Sequence, residues 1–222
     1  MTSVGLHRRP QPFKLQEASM KKIIISALLA APLLASAAGN LVQNGSFEDG
    51  LVIGGKGWDV FSSINGWTGV GSGIEVRKNT VGLAQDGKNF VELDSYGNSG
   101  MFQVLATTAG QNYTLNFSYA NRVQTTAATN GLDWSLDGSN WQALTTPSTN
   151  NANQHDWQSF STSFVATGTT KLSFRATGTS DALGSSLDSI SVTSAVPEPQ
   201  TYAMLLAGLC AVGFMARRRQ QG

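Results

Sequence analysis

The sequence predicts an all-β fold, an antiparallel β-sandwich, on three observations. Apolar residues recur with a period of two through the middle of the chain; glycine is abundant, 24 of 222 residues, against 13% charged residues; and no amphipathic helical stretch of useful length separates the apolar runs. Short strands separated by Gly, Asn, Ser and Thr favour antiparallel pairing, because a parallel sheet needs long crossovers.

The elements follow in order. Residues 1–19, with Arg8, Arg9, Pro10 and Pro12, carry no apolar periodicity and read as a non-native or disordered extension, so the protein is expected to begin at Met20. Residues 20–37 place Lys21 and Lys22 before an apolar run from Ile23 to about Leu34, then small residues at Ala35 and Ala37. This is a secretory signal helix cut before Ala38.

The body, 38–195, begins with Asn40–Glu48, in which Phe47 is the core residue. Alternation then marks strands at Ile74 and Val76, Val91 and Leu93, and Phe102 and Val104. The clearest is QNYTLNFSYA, where Tyr113, Leu115, Phe117 and Tyr119 alternate with polar residues. LDWSLDG puts Leu132, Trp134 and Leu136 on one face and stops at the turn pair Asp137-Gly138. Phe160 and Phe164, then Leu172, Phe174 and Ala176, then Ile190 and Val192 complete about eight strands. Thr145–Asn153 is one polar loop rather than a linker, and no internal repeat divides the body.

Charge and cysteine narrow the function. Between Ala38 and Val196 seven Lys and Arg stand against twelve Asp and Glu, a net charge of −5, so the body has no cation excess for phosphates and no nucleic-acid partner is expected. The single cysteine, Cys210, excludes an intrachain disulfide and a CxxC zinc site. His155 is the one imidazole of the body, set in the polar stretch NQHDWQ. It reads as a solvated pair with Asp156.

The last segment, 196–222, joins Val196, Pro197, Glu198 and Pro199 to an uncharged, mostly apolar run, 202–216, and to Arg217, Arg218 and Arg219. At about 1.5 Å per residue this helix spans about 22 Å, short of the roughly 30 Å hydrocarbon core, and the arginines would have to snorkel. The cations keep that end cytoplasmic and place the body outside. This tail resembles a PEP-CTERM sorting signal. The resemblance implies export, transient inner-membrane anchoring through a single transmembrane helix, and an exosortase-type processing enzyme as partner. It further implies cutting near Pro197-Glu198-Pro199 and delivery of the body from the periplasm to the cell surface or extracellular matrix.

Asn40-Leu41-Val42-Gln43-Asn44-Gly45-Ser46-Phe47-Glu48 and Leu187-Asp188-Ser189-Ile190-Ser191-Val192 resemble the opening and closing strands of galactose-binding-like jelly rolls, carbohydrate-binding modules among them. Phe90–Asp94 and Gly110–Phe117 resemble the middle strands of a PEP-CTERM ectodomain of that kind. Asp188 shares a face with core residues, and a carboxylate there needs a partner. If first and last strands adjoin, as the resemblance implies, Glu48 and Asp188 with the carbonyl of Asn44 would share a structural calcium ion. The other reading has Asp188 capping backbone amides and Glu48 solvated.

Sugars ask for flat aromatic faces beside hydrogen-bonding groups, and Trp58, Trp67, Tyr96, Trp141 and Trp157 fall in or beside Gly- and Asn-rich segments. The expected partner is therefore exopolysaccharide or another glycan, bound without catalysis. The alternative is a structural or adhesive biofilm-matrix protein with no glycan pocket. Glycosidase chemistry by Glu92 and Asp94 is weaker, since an i, i+2 carboxylate pair on an exposed strand face is commonplace. There is no G-x-S-x-G elbow for a nucleophile and no regular threonine array for ice.

Overall fold

Strands form where the side-chain period is two. The computed structural model describes residues 39–145, 153–195 and 199–219. The signal segment, its cleavage residues Ala35, Ala37 and Ala38, the motif residues Val196, Pro197 and Glu198, and most of the polar loop lie outside the described residues.

Among the described residues twelve strands appear where about eight were expected. They are β1 Trp58–Phe61, β2 Ser63–Ile64, β3 Trp67–Val70, β4 Ile74–Lys78, β5 Asn89–Glu92 and β6 Gly100–Leu105, then β7 Asn112–Ala120, β8 Leu132–Ser135, β9 Gln142–Ala143, β10 Gln158–Val165, β11 Thr170–Ala176 and β12 Ser186–Ser194. The additions are β1, β2, β3 and β9, each of four residues or fewer and too short to show a period.

All pairs are antiparallel and make two six-stranded sheets. Sheet one runs β1-β4-β5-β12-β7-β10 and sheet two runs β2-β3-β6-β11-β8-β9. The inner faces supply one core that includes Phe47, Leu115, Phe117, Leu172, Phe174 and Val192. This is the antiparallel sandwich of jelly-roll type. Cross-strand aromatic pairs fix the register of β7 and β10: Phe117 opposes Phe160 with ring centroids 4.7 Å apart, and Tyr113 opposes Phe164 at 5.7 Å.

The chain start lies along the end of the last strand, as the jelly-roll resemblance implies. Asn40 bridges Thr193, the Leu41 amide donates to the Val192 carbonyl (2.8 Å), and the Ile190 amide donates to the Gly45 carbonyl (3.0 Å). A Cβ at Gly45 would come within 2.0 Å of the Ile190 carbonyl oxygen, so only glycine lets the two segments meet.

One strand is inverted relative to expectation. In β6 it is Met101, Gln103 and Leu105 that face inward, while Phe102 and Val104 face out. Gln103 is the cause: its amide oxygen accepts the Gln43 N–H (2.8 Å) and its amide nitrogen donates to the Gln43 carbonyl (3.0 Å), which satisfies both Gln43 backbone groups. Trp134, expected in the core, is partly buried at its margin, 5.3 Å from the Phe160 ring.

The C-terminal helix α1, Pro199–Arg219, belongs to a separate compact unit and extends past the 202–216 expectation at both ends. Leu205, Leu206, Leu209 and Val212 on it are exposed. No helix among the described residues is long and apolar enough to cross a membrane.

Trp67, expected in a ligand-binding loop, is 1% exposed and sits in the core between Phe47 (6.1 Å) and Phe174 (6.2 Å), its indole N–H donating to the Asn44 carbonyl at 3.2 Å. Trp67→Ala is therefore expected to destabilise the sandwich by about 3–5 kcal/mol, read from urea denaturation. A loss below about 1 kcal/mol would contradict this placement.

Candidate functional site

The outer face of sheet two carries a cleft of about 360 Å³, within the size range of small-ligand sites. Its walls follow from strand alternation. Leu172, Phe174 and Ala176 of β11 point into the core, which sends Lys171, Ser173 and Arg175 outward. Register then places Ser173 between Phe102 of β6 and Ser135 of β8, and Arg175 between Gly100 and Asp133. The small row through Ser173 and Gly100 leaves a trough with larger side chains around it.

Trp141 closes one side, with the Arg175 guanidinium 4.2 Å from its ring centroid. Arg175 is held there by Asp133, whose Oδ2 accepts Nη2–H (2.8 Å) and Nε–H (3.1 Å). On the other side the Lys171 ammonium lies 4.2 Å from the Phe102 centroid, and Asn98 adds an amide side chain at the rim. Partly exposed aromatic rings beside amide, carboxylate and cationic groups suit a polyhydroxylated ligand.

The other expected aromatics are scattered, and among the described residues no two of the five rings touch. Trp67 is in the core. Trp58 lies on edge strand β1 rather than in a loop, with the Lys56 ammonium 3.6 Å from its centroid. Tyr96 is 71% exposed beyond β5, away from any ring contact. Trp157 is committed to structure: its N–H donates to the Leu83 carbonyl (3.0 Å) and its ring meets Phe90 edge-on.

Asn44, Glu48 and Asp188 do lie near the seam between chain start and end, but they serve loops. Glu48 Oε1 accepts the amides of Lys88 and Asn89 (both 2.6 Å). Asp188 Oδ2 accepts those of Gln85 (2.8 Å) and Asp86 (3.0 Å), and its Oδ1 accepts that of Ser189 (2.6 Å). Asn44 gives its carbonyl to Trp67 and its side-chain oxygen to the Asp49 amide. Each of these carboxylates meets loop amides, and among the described residues no group of three His, Cys, Asp or Glu is placed to hold a metal. Burial still pushes the Asp188 carboxyl up to about 7, against the amides of Asp86, Ser189 and Gln85.

The outer face of sheet one departs furthest from expectation. Alternation sends Glu75, Arg77 and Glu92 outward, and Glu92 was expected on an exposed face, yet they are 1%, 4% and 1% exposed. Arg77 bridges the two carboxylates (2.7 Å to Glu75, 3.0 Å to Glu92), and Arg122 clamps Glu92 through Nη1 (2.5 and 2.6 Å). Two guanidiniums thus neutralise two carboxylates.

Asp94, the expected partner of Glu92, is also buried, and its Oδ2 accepts the Asp181 amide at 3.0 Å. Neither carboxylate is presented to solvent as a hydrolytic pair would be. His155 is wedged rather than solvated: Nδ1 meets the Leu83 carbonyl (2.9 Å), Nε2 meets Ser186 Oγ (3.0 Å), and Phe90 stands edge-on at 4.7 Å.

Phe102, Lys171, Arg175, Asp133 and Asn98 were missed in the sequence. Lys171 and Arg175 were legible, because the alternation that buries Leu172 and Phe174 fixes their face. Asn98 and the Asp133 pairing depend on loop and strand neighbours that only the fold supplies.

Residues 40–193 match the family model described as "Protein of unknown function (DUF642)", and residues 195–219 match the PEP-CTERM protein-sorting motif. No curated protein matches the sequence. Among solved structures, an apo form cyclase from Fischerella sp. aligns at 16% identity and TM-score 0.51, covering 73% of this chain and 98% of that one. The CBM22-1 xylan-binding domain from Paenibacillus barcinonensis aligns at 16% identity and TM-score 0.46, covering 74% and 99%. A family 16 carbohydrate-binding module aligns at 16% and 0.42, covering 69% and 99%. At these identities the likeness is one of fold, which leaves activity open.

Burial pushes the Glu75 carboxyl from 4.5 up to about 7, more than Arg77 pulls it down. A carboxyl that holds its proton more tightly when folded contributes stability below its unfolded value and loses it as pH rises through the folded one. His155 acts oppositely: burial lowers its pKa, so its contribution is complete above the ordinary imidazole value and lost as pH falls. Comparing Glu75→Gln with the parent isolates the first effect. From about pH 5 to about pH 8 the variant is expected to gain on the order of 3 kcal/mol relative to the parent in urea denaturation. A difference independent of pH would contradict a buried, proton-retaining Glu75.

Proposed function

The chain belongs to the family described as "Protein of unknown function (DUF642)" and ends in a PEP-CTERM protein-sorting motif, and from this premise we propose that it is an exported protein whose sandwich binds extracellular polysaccharide, without catalysis, in the Trp141 cleft. The observation that carries the reading is the cleft itself. Trp141, Phe102, Arg175 and Asn98 gather around a trough of Ser173 and Gly100 on the outer face of sheet two, and Asp133 stands behind Arg175.

The physics of capture is direct. A sugar ring buries its C–H patch on an aromatic face, and the Arg175–Asp133 pair and Asn98 exchange hydrogen bonds with its hydroxyls. Because Asp133 fixes the guanidinium before any ligand arrives, little ordering entropy is lost there on binding. A binding role is also supported by what the carboxylates do. Glu75 and Glu92 are enclosed with arginines, and Asp94 with a loop amide.

The sorting motif supports handling by an exosortase-type enzyme of the inner membrane. Helix α1 would enter the bilayer transiently, with Arg217–Arg219 holding the cytoplasmic side and the body in the periplasm before release to the surface or matrix. Such a step predicts that protein recovered from the producer's envelope or medium begins near Ala38 and ends near Pro197–Pro199, which intact mass reports. A full-length mass would contradict it.

Binding is tested by retention of the exported protein on a panel of insoluble and immobilised polysaccharides. Trp141→Ala and Arg175→Ala are each expected to weaken retention about tenfold or more, while Trp58→Ala leaves it unchanged. Retention on no polysaccharide would favour the structural or adhesive matrix role instead. Equal retention by the Trp141 variant would remove this cleft.

A further inference from the structure

We infer that the polysaccharide taken by this cleft carries carboxylate groups, a uronic-acid polymer, and that the Lys171 ammonium is the contact that reads them; the inference rests on the glycan-binding reading above. Two cations face the cleft, and they differ in what they already hold. Arg175 is neutralised by Asp133, which accepts from two of its nitrogens. Lys171 has no carboxylate within ion-pair distance among the described residues, and what lies against it is the Phe102 ring, 4.2 Å from centroid to Nζ. The cleft therefore presents one uncompensated positive charge.

The position of that charge is built. The Lys171 amide donates to the Leu136 carbonyl (3.0 Å), which seats the strand beside the 136–141 turn. Gly138 of that turn has φ +76°, and a Cβ there would come within 3.0 Å of the Lys171 Cδ. Glycine thus serves both the turn and the passage of the lysine stem. The ring that receives the ammonium is on the outer face only because Gln103 is bound to Gln43 on the inner one.

The acidic group nearest in the chain to that turn's glycine is Asp137, and it is occupied locally. Its Oδ1 accepts the amides of Asn140 (2.7 Å) and Ser139 (2.8 Å) and the Ser135 hydroxyl (3.0 Å), and its Oδ2 accepts the Asn140 side chain (2.6 Å). These donors, the Asn140 amide first, hold the Asp137 carboxyl well below the usual carboxylate range.

The charge of the body sharpens the expectation. Seven Lys and Arg against twelve Asp and Glu between Ala38 and Val196 repel a polyanion at long range, so an acidic polymer is held only by a local cation. A charge-assisted hydrogen bond from Lys171 to a sugar carboxylate supplies it. Neutral polymers would use the aromatic faces, the Arg175–Asp133 pair and Asn98 without this contact.

The test measures retention of the exported protein on polygalacturonate and on alginate, each beside its carboxyl-reduced, neutral form. The parent is expected to bind at least one acidic polymer about tenfold tighter than its reduced counterpart. Lys171→Gln should abolish that preference and Lys171→Arg should keep it, while Trp141→Ala weakens retention on both forms. Equal binding to acidic and reduced polymers would overturn the inference and leave the glycan-binding reading standing. So would a preference that survives Lys171→Gln. Binding to neither form of either polymer would overturn the inference, and with binding to another, neutral polysaccharide the broader reading would still hold.

Discussion

The fold depends on the seam where the start of the body lies against its last strand. The Gly45 carbonyl takes the Ile190 amide, with no room for a side chain between them, and Asn40 Oδ1 takes the amides of Val42 and Val192 (both 3.0 Å). Everything near it is placed by this contact. Asn44 is positioned to anchor Trp67, and Phe47 to pack on the same ring. Glu48 and Asp188 are brought to opposite ends of the 85–89 loop, whose amides they gather. The seam therefore sets both the junction between the sheets and the cover over sheet one.

That cover divides the molecule into two surfaces with different physics. On sheet one the charges that alternation sends outward are enclosed, and enclosure is tolerable because each carboxylate meets a guanidinium and Arg122 completes the neutralisation. On sheet two no such loop among the described residues covers Phe102, Lys171 and Arg175. The same strand periodicity produces a sealed ionic layer on one side and an accessible cleft on the other, and the difference lies in which loops fold back.

Periodicity made the long strands legible in the sequence. Tyr113, Leu115 and Phe117 read inward and are inward; Leu172 and Phe174 likewise. Where polar and apolar residues traded places the phase was lost. Met101-Phe102-Gln103-Val104-Leu105 reads equally well in either register until one knows that Gln103 has a backbone partner 60 residues earlier in the chain. The same limit hid Glu75 and Arg77, whose burial depends on what packs over their strand, and His155, which lies before β10 and is held by Leu83 and Ser186, and it made Trp67 resemble a loop residue because β3 is too short to announce itself. In the site, the faces of Lys171 and Arg175 were open to inference; their partners were not.

The bridge between Asn40 and Thr193 means that the polypeptide enters and leaves the sandwich at one place. A unit with a shared doorway behaves as a cassette: it can be spliced into a longer chain, threaded between other modules or cut loose from its flanks with its interior undisturbed.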